Sequence, residues 1–362
     1  MNLVERAGAL EILGKLLKSL ELKLDPGNTD RDAALDQLMT GIRLKNPWFQ
    51  LSAIHRSVSA WALALEPAKI KDWTVAYPGL TLAKKVFKVG VVNAGNIPLV
   101  GLHDLLAVFL SGNNYIGKNS SDDPFLLPWL IDLWSASVPE VSQHIKFADK
   151  LTDIDAVIAT GSNNTARYFD YYFSKYPNVI RKNRNAVALL NGDETYEQLK
   201  SLGKDIFTYY GMGCRNVAKL YIPADYDLKY FFEAMYDFNY VMEHHKYMNN
   251  FDYHHAILLM KGIPFLQNNF LIVKEDEAIA SPLAVVYYER YGSKEEVLLQ
   301  LQARQEELQC VVAGTSMMGH LTEKGLRPVE FGQSQFPSLL DYADGVDTMS
   351  FLIGLQSVDR VK

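Results

Sequence analysis

Between residues 85 and 190 the sequence alternates short β-branched, apolar runs with longer segments of helical periodicity. The runs predict strands and the segments between them predict helices. Neighbouring parallel strands need crossovers of about a dozen residues, which helices of this length supply. The alternation therefore predicts an α/β fold on a doubly wound parallel sheet, a common site for nucleotides. The predicted strands are Val86–Val92, Asn114–Lys118, Ile145–Phe147, Asp155–Thr160 and Ala186–Leu190, and the helices are Leu99–Leu110, Pro124–Trp134 and a segment ending near Phe173.

A second α/β domain is predicted after the turn residues Asn191–Asp193. At 362 residues and 48% hydrophobic composition, the chain is longer than one core normally holds. The first 80 or so residues are helical by periodicity and predict a cover for the sheet. We expect domains at 1–187 and 188–335, with a tail over 336–362. The predicted elements of the second domain are helices at 194–210, 227–241 and 294–308, and strands at 218–222, 255–260, 269–274, 283–288 and 309–314.

Composition excludes several classes of protein. The net charge of −6 and the lack of a long basic run do not indicate a surface that binds nucleic acid. Two cysteines cannot form a disulfide framework, which favours a reducing compartment. Glu5, Arg6 and Glu11 interrupt the N-terminal apolar segment, so it predicts an amphipathic packing or oligomer helix rather than a signal peptide. No apolar run is long enough for a membrane span. We therefore expect a cytoplasmic protein.

Cys214 is the candidate nucleophile. It lies in a glycine-containing turn, Gly211-Met212-Gly213-Cys214, just ahead of a predicted strand. A thiolate is a strong nucleophile near neutral pH, flanking glycines allow close approach to a substrate carbonyl, and Arg215 and Lys219 would favour the anion. The alternative is a small buried apolar residue. Cys310, in an apolar run that predicts a core strand, exemplifies that alternative.

Three segments at predicted strand ends are candidate ligand sites. Asn96 follows the first strand, where an amide could donate to a substrate oxygen. Thr160, Gly161, Ser162 and Asn163 join a strand to a helix, where free N–H groups and the helix dipole suit a phosphate. Lys118 ends a strand, where its cation could meet a ribose or a phosphate. The alternatives are a turn asparagine, ordinary helix N-caps and a solvated lysine.

Four histidines, His244, His245, His254 and His255, raise the question of a metal. Adjacent histidines point apart on a helix and on a strand, and no zinc-type spacing accompanies them. We therefore expect no metal site.

In chain order, these segments resemble the aldehyde dehydrogenase superfamily. Asn96-Ile97-Pro98 is similar to its Asn-Phe-Pro, whose asparagine lines the oxyanion hole, and Gly112 to Lys118 is similar to its Gly-Asn-x-x-x-x-Lys segment. Thr160-Gly161-Ser162 matches the Thr-Gly-Ser that opens the helix under the pyrophosphate. Cys214 falls at the catalytic cysteine of Gly-Gln-x-Cys. The resemblance covers roughly residues 85–352.

A closer resemblance is to the acyl-CoA reductase branch, the LuxC family of bacterial luminescence fatty-acid reductases. It rests on Asn183–Ala188, Gly211–Asn216 and the tail from Phe331 to Met349. Two motifs depart from hydrolytic relatives. Ile180-Arg181-Lys182-Asn183 replaces Glu-Leu-Gly-Gly, so the water-activating glutamate has no counterpart, and Ala280-Ser281-Pro282 lacks the glutamate that orients the nicotinamide ribose.

The resemblance implies NAD(P)H-dependent reduction of an acyl-CoA to the aldehyde through an acyl-Cys214 intermediate. Asn96 would be the oxyanion donor, and Lys118 with Thr160–Asn163 would bind the cofactor, expected to be NADPH with NADH as the alternative. The domain 1–187 would then bind cofactor, 188–335 would carry the thiol, and the tail would pack near the active site. A homo-oligomer and an acyl-transferring partner protein are further expectations. Two alternatives remain open, a catalytically silent binding or assembly protein and a CoA-acylating aldehyde dehydrogenase working oxidatively.

Overall fold

A computed structural model describes residues 1–28, 31–82, 85–161 and 163–357. The chain divides into two compact units, Met1–Lys182 with Pro337–Lys362, and Asn183–Phe336. The division after Lys182 is closer to the N-terminus than the predicted boundary after residue 187.

The first unit begins with a helical segment, as the periodicity predicted, and this segment contains four α-helices among the described residues. A capping box starts α1, because the Asn2 side chain accepts the Glu5 N–H at 3.0 Å and Glu5 accepts the Asn2 N–H at 2.7 Å. Leucines at three- and four-residue steps, including Leu10, Leu13 and Leu17, are buried along one face of this helix. The helices are α1 Leu3–Leu24, α2 Ala33–Lys45, α3 Leu51–Ala64 and α4 Pro67–Val75.

The sheet of the first unit has five parallel strands in the order β3-β2-β1-β4-β5. The strands are β1 Lys88–Val92, β2 Asn114–Lys118, β3 Ile145–Phe147, β4 Ala156–Thr160 and β5 Asn178–Arg181, and the helices are α5 Leu102–Leu110, α6 Leu126–Ser137 and α7 Asn163–Phe173. This is the predicted doubly wound parallel sheet. The order reverses beside β1, since the chain runs outward through β2 and β3 and then returns to β4 on the other side.

One strand was assigned to the wrong sheet. Ala186–Leu190, predicted to close the first series, forms β6 Asn185–Leu189 in the second unit instead. The first sheet ends with β5, which the sequence did not predict. A fully buried strand such as β6 carries no pattern that says which sheet it joins, because both of its faces are apolar.

The second unit contains a seven-stranded sheet in the order β12-β11-β6-β7-β10-β9-β8, parallel except for the antiparallel pair of β8 and β9. The predicted strand at 255–260 is wrong, because those residues belong to a helix. Short apolar runs fit either structure. The remaining elements are α8 Tyr196–Phe207, β7 Val217–Pro223, α9 Leu228–Met235, α10 His245–Met260, β8 Leu266–Gln267, β9 Ile272–Glu275, β10 Val285–Tyr291, α11 Lys294–Ala303, β11 Leu308–Ala313, α12 Thr315–Glu323 and β12 Pro328–Val329.

The C-terminal segment returns to the first unit and ends in α13 Thr348–Gly354. The indole N–H of Trp73 on α4 donates to the Tyr342 hydroxyl at 2.7 Å. The Tyr77 hydroxyl donates to Asp347 at 2.9 Å. These bonds tie the tail to the N-terminal helices, and Met349 and Leu352 enter the same core as the leucines of α1.

Candidate functional site

The carboxyl ends of three neighbouring strands in the first unit bring three predicted segments together. The register pairs Val92 of β1 with Lys118 of β2, and β4 ends at Thr160 on the other side of β1. Ligands of open α/β sheets bind at this edge, where the strand order reverses. The loop containing Asn96, the strand-end Lys118 and Thr160–Gly161 therefore share one edge of one sheet.

The Asn96 loop is held by hydrogen bonds on either side of the asparagine. The Asn46 side chain donates to the Gly95 carbonyl at 3.4 Å, and the Ser57 hydroxyl donates to the Pro98 carbonyl at 2.8 Å. Asn46 and Ser57 come from the N-terminal helical segment. A Cβ at Gly95 would lie 2.6 Å from the Ser120 Cβ, so this turn requires glycine. Asn96, which is half-buried, thus sits on a fixed backbone.

The turn from β4 into α7 is a close approach of strand and helix. A Cβ at Gly161 would lie 2.9 Å from the Phe169 ring and 3.0 Å from the Thr165 Cβ. Glycine there lets the helix start press against the strand end, as phosphate-binding turns require. Asn163 begins α7, and Ser162 lies outside the described residues.

A buried ion pair beside this edge was not found from the sequence. The Arg181 guanidinium, at the end of β5, donates to both Asp104 carboxylate oxygens at 2.5 and 2.8 Å. It also donates to the Thr348 hydroxyl at 2.7 Å. Arg181 is only 3% exposed, so its charge depends on these partners. Arg181 thereby ties β5 to α5 and to α13.

Cys214 lies in a turn directly before β7, at the amino-terminal edge of the second sheet. It is half-buried, whereas Cys310 is buried inside β11. The Asn216 N–H donates to the Gly213 carbonyl at 3.0 Å and closes the turn. The thiol therefore sits on an ordered turn at a strand start, as its flanking glycines predicted.

The backbone leading to this turn is strained. Tyr209, Tyr210 and Gly211 have φ angles of 53°, 58° and 82°, three consecutive left-handed residues. Glycine tolerates this region, but two adjacent tyrosines there are rare and persist only where surrounding structure holds them. Such strain is typical of functional turns, and no sequence pattern pointed to it.

The Asn216 side chain holds the turn against the end of α8. Its Oδ1 accepts the Gly213 N–H at 2.8 Å. Its Nδ2 donates to the carbonyls of Asp205, Ile206 and Thr208 at 2.9, 3.2 and 2.8 Å. The last carbonyls of a helix have no partner within the helix, so Asn216 acts as a C-terminal cap supplied from the Cys214 turn.

The same end of α8 holds a second segment through the buried Asp205 carboxylate. Its oxygens accept the N–H groups of Gly332 and Ser334 at 2.6 and 3.0 Å. Burial raises the pKa of Asp205 to about 6 despite these bonds. The end of α8 is therefore a common anchor for the Cys214 turn and for the Phe331–Ser334 segment.

Lys219 does not provide the free positive charge that the sequence suggested. Its ammonium is buried, pairs with Glu289 of β10 and donates to the Glu277 carbonyl at 2.9 Å. Burial lowers the pKa of Lys219. Because Glu289 compensates the charge, the expectation that Lys219 stabilises a Cys214 thiolate is wrong. Arg215, which follows Cys214 in the chain, is 9% exposed.

The histidine group belongs to α10. His244 is its N-cap, with Nδ1 accepting the Tyr247 N–H at 3.3 Å, and its ring lies 4.4 Å from that of Tyr210. Over the described residues no cluster of three or more His, Cys, Asp or Glu could hold a metal. Within those same ranges, none of the helices combines the length and the apolarity that a membrane crossing requires.

No protein-family model matches the sequence, and no curated protein matches it. Solved structures do match. Aldehyde dehydrogenase 21 from Physcomitrella patens, in complex with succinate, superposes with a TM-score of 0.68 at 13% identity over 98% of this chain and 84% of that one. An aldehyde dehydrogenase from Bacillus cereus in complex with NAD+ superposes with a TM-score of 0.61 at 14% identity, over 91% of this chain and 76% of that one. An NADP-dependent enzyme from E. coli superposes with a TM-score of 0.62 at 13% identity, over 91% of this chain and 77% of that one. These similarities show that both sheets form an aldehyde dehydrogenase-like fold.

Proposed function

We propose that this chain, with its aldehyde dehydrogenase-like fold, is an NAD(P)H-dependent acyl-CoA reductase that works through an acyl group on Cys214. The observation that carries the proposal is the Cys214 turn. A half-buried thiol stands on a strained backbone, and the Asn216 side chain fastens that backbone to α8. Cys310, buried in β11, has no such setting. A fixed, reachable thiol is what covalent catalysis requires.

The first step is attack of the Cys214 thiolate on the thioester carbonyl carbon. A new C–S bond forms while the carbonyl electron pair moves to oxygen, giving a tetrahedral oxyanion. The Asn96 side chain, by its motif, and the Cys214 N–H are the proposed donors to that oxyanion. Collapse breaks the bond to the CoA sulfur, CoA leaves as its thiolate, and the acyl group remains on Cys214.

The residues of the first sheet edge fit a nicotinamide cofactor. Lys118 supplies an exposed cation at the end of β2, Thr160 supplies a hydroxyl at the end of β4, and Gly161 leaves no side chain between strand and helix start. These residues, with Ser162 and Asn163, would hold the ribose and pyrophosphate. Structural neighbours include an NAD+ complex and an NADP-dependent enzyme, which supports the cofactor class. The choice of NADPH rests on the motif resemblance. When bound, the cofactor supplies the hydride that reduces the acyl group, and release of the aldehyde returns the Cys214 thiol.

The motif at Ile180–Asn183 supports reduction over hydrolysis. Hydrolytic relatives use a glutamate there to activate water, whereas this chain places Arg181 in a buried pair with Asp104. A thioester without a water-activating base survives until it is reduced. The same residues could also run the oxidative, CoA-acylating reaction, and that direction is the second candidate.

Steady-state kinetics in both directions test the proposal. We expect acyl-CoA to drive NADPH oxidation with one aldehyde formed per NADPH consumed, and we expect Cys214→Ser to abolish it while Cys310→Ser retains it. Faster turnover from aldehyde, CoA and NADP+ would assign the oxidative direction. A protein that binds NADPH, by fluorescence titration, but turns over in neither direction would support the catalytically silent alternative.

A further inference from the structure

Asn93 is a buried polar residue at the edge of the first sheet, and the proposed function gives it no role. It follows β1 directly and is 8% exposed. Its backbone N–H donates to the Lys118 carbonyl at the end of β2, at 2.9 Å. This bond continues the register of the two strands, which pairs Val92 with Lys118. Asn93 therefore stands between the loop that contains Asn96 and the strand end that carries Lys118.

The side chain of Asn93 also reaches β2. Its Nδ2 donates to the Tyr115 hydroxyl at 2.7 Å and to the Asn119 Oδ1 at 3.0 Å. Tyr115 is fully buried, and Gly117 leaves room for its ring, because a Cβ at Gly117 would lie 2.5 Å from that ring. One backbone bond and two amide bonds thus join Asn93 to β2 and to the residue that follows it.

The same amide packs against the far end of the Asn96 loop. Asn93 begins this loop, and Gly101, the N-cap of α5, ends it. A Cβ at Gly101 would lie 2.8 Å from the Asn93 Cγ, so only glycine lets the amide approach the start of α5 this closely. The Asn96 loop is therefore closed at its base by the contact between Asn93 and Gly101.

This arrangement has a cost that packing alone does not explain. The Asn93 Oδ1 is buried and has no hydrogen-bond partner among the described residues. A buried acceptor without a donor is unfavourable, and an apolar side chain here would avoid it. Positions that break such a rule are typical of functional sites. The two bonds from Nδ2 are what distinguish the amide from an apolar side chain.

We propose that Asn93 is a positioning residue that holds the Asn96 loop and the end of β2 in one arrangement for the nicotinamide cofactor. This inference rests on the proposed function. Because Asn93 occupies the Asn119 Oδ1, Nδ2 is the atom of that half-buried amide that remains for a ligand. The exposed ammonium of Lys118 precedes it in the chain. Two successive donors suit the ribose and phosphate oxygens of the cofactor, and Asn93 holds the backbone that carries both.

Fluorescence titration of the full chain with NADPH tests the inference. We expect Asn93→Ala to raise the Kd for NADPH about tenfold, because loss of the amide frees the end of β2. Asn113→Ala is the matched control, since it removes a buried amide from the opposite edge of the same two strands. Asn113 is 1% exposed, accepts the Phe87 N–H at 3.0 Å and donates to the Ser111 hydroxyl at 2.9 Å. Asn113→Ala should lower the free energy of unfolding yet bind NADPH with native affinity.

Turnover shows whether Asn93 acts on the loop as well as on the strand end. In Asn93→Ala, kcat should also fall about tenfold, since the Asn96 loop loses the contact at its base. Asn96→Ala, which removes the proposed oxyanion donor alone, should lower kcat with an unchanged Kd for NADPH. A raised Kd with a native kcat in Asn93→Ala would overturn the role of Asn93 in holding the loop.

The outcomes for this inference and for the proposed function differ. Native Kd and kcat in Asn93→Ala, or an equal loss of affinity in Asn113→Ala, would overturn the inference and leave the proposed function standing. NADPH binding without turnover by the native chain would refute the proposed reaction, and the Kd values would still decide the role of Asn93. A native chain that binds neither NADPH nor NADH would overturn both. If Asn93→Ala does not fold by circular dichroism, Tyr115→Phe, which removes one acceptor of the amide, should raise the Kd severalfold and carries the same comparison.

Discussion

Replacing Asn216 with alanine removes the side chain that joins the Cys214 turn to α8. The amide makes contact with four backbone groups, the Gly213 N–H and the carbonyls of Asp205, Ile206 and Thr208. Asn216 is 3% exposed, so water cannot readily take its place at these groups. The variant therefore leaves a buried N–H and several helix-end carbonyls without their partner.

The magnitude follows from the number of bonds. Two Nδ2 hydrogens shared among three carbonyls, together with the bond to Gly213, amount to about three hydrogen bonds of about 1 kcal/mol each. The unsatisfied Gly213 N–H adds to this loss. We expect the free energy of unfolding to fall by about 3–5 kcal/mol. For a unit of this size, that lowers Tm by roughly 6–20 °C.

Urea unfolding followed by circular dichroism measures the loss of unfolding free energy. Alkylation by iodoacetamide, followed by mass spectrometry, measures the reactivity of the Cys214 thiol. We expect the alkylation rate of Cys214 to change severalfold in Asn216→Ala, while Cys310 stays protected in β11. Asn216→Asp, which keeps the shape but turns a carboxylate oxygen toward three carbonyls, should destabilise at least as much.

Asn250→Ala is the matched control, because it removes a single exposed bond to the Lys246 carbonyl. It should change the free energy of unfolding by about 0.5 kcal/mol or less. A loss below about 1 kcal/mol in Asn216→Ala, with an unchanged alkylation rate, would refute the role of Asn216 as the anchor of this turn.

Three further perturbations test other parts of the account. Asp104→Asn leaves the buried Arg181 charge without its anion and should cost about 3–5 kcal/mol of unfolding free energy in a denaturant titration; a loss under 1 kcal/mol would contradict it. Burial raises the folded-state pKa of Asp205 to about 6, above its ordinary 3.8, so the folded chain binds this proton more tightly. The stabilisation that the Asp205 proton provides should therefore fall by about 3 kcal/mol as pH rises from about 4 to 6. In Asp205→Asn, the free energy of unfolding should not show this decrease over the same pH range. Asn96→Ala should slow turnover roughly a hundredfold with an unchanged unfolding midpoint, and unchanged turnover would remove Asn96 from the mechanism.

Periodicity predicted the first sheet well because its strands alternate regularly with helices. β2 and β3 were predicted residue for residue, and the helical N-terminus follows from the leucine spacing of α1. The alternation of apolar and polar residues could not assign a strand that is buried on both faces to its sheet. The strand β6 is apolar on both faces, so its sequence cannot choose between two sheets. The end of α10 was mistaken for a strand for a different reason: its short apolar run fits either structure, and Leu259 and Met260 of that run are exposed.

The candidate residues were found because each follows a glycine or a strand end. Cys214 and Gly161 carry that local signal. Asp104 and Asn216 do not, since their roles come from bonds to Arg181 and to α8 that only the folded chain brings together. For Lys219, the local sequence suggested a role that the folded structure does not support. A lysine near a cysteine suggested a free charge, but the neighbouring strand β10 supplies Glu289 to neutralise it.

Mass spectrometry of the native chain mixed with acyl-CoA, without cofactor, tests the central claim most directly. We predict a mass increase equal to one acyl group, located on Cys214 after proteolysis, with one CoA thiol released per chain. The adduct should be absent in Cys214→Ser, persist in Cys310→Ser and disappear from the native chain when NADPH is added. Native protein that stays unmodified while all CoA remains esterified would contradict the claim.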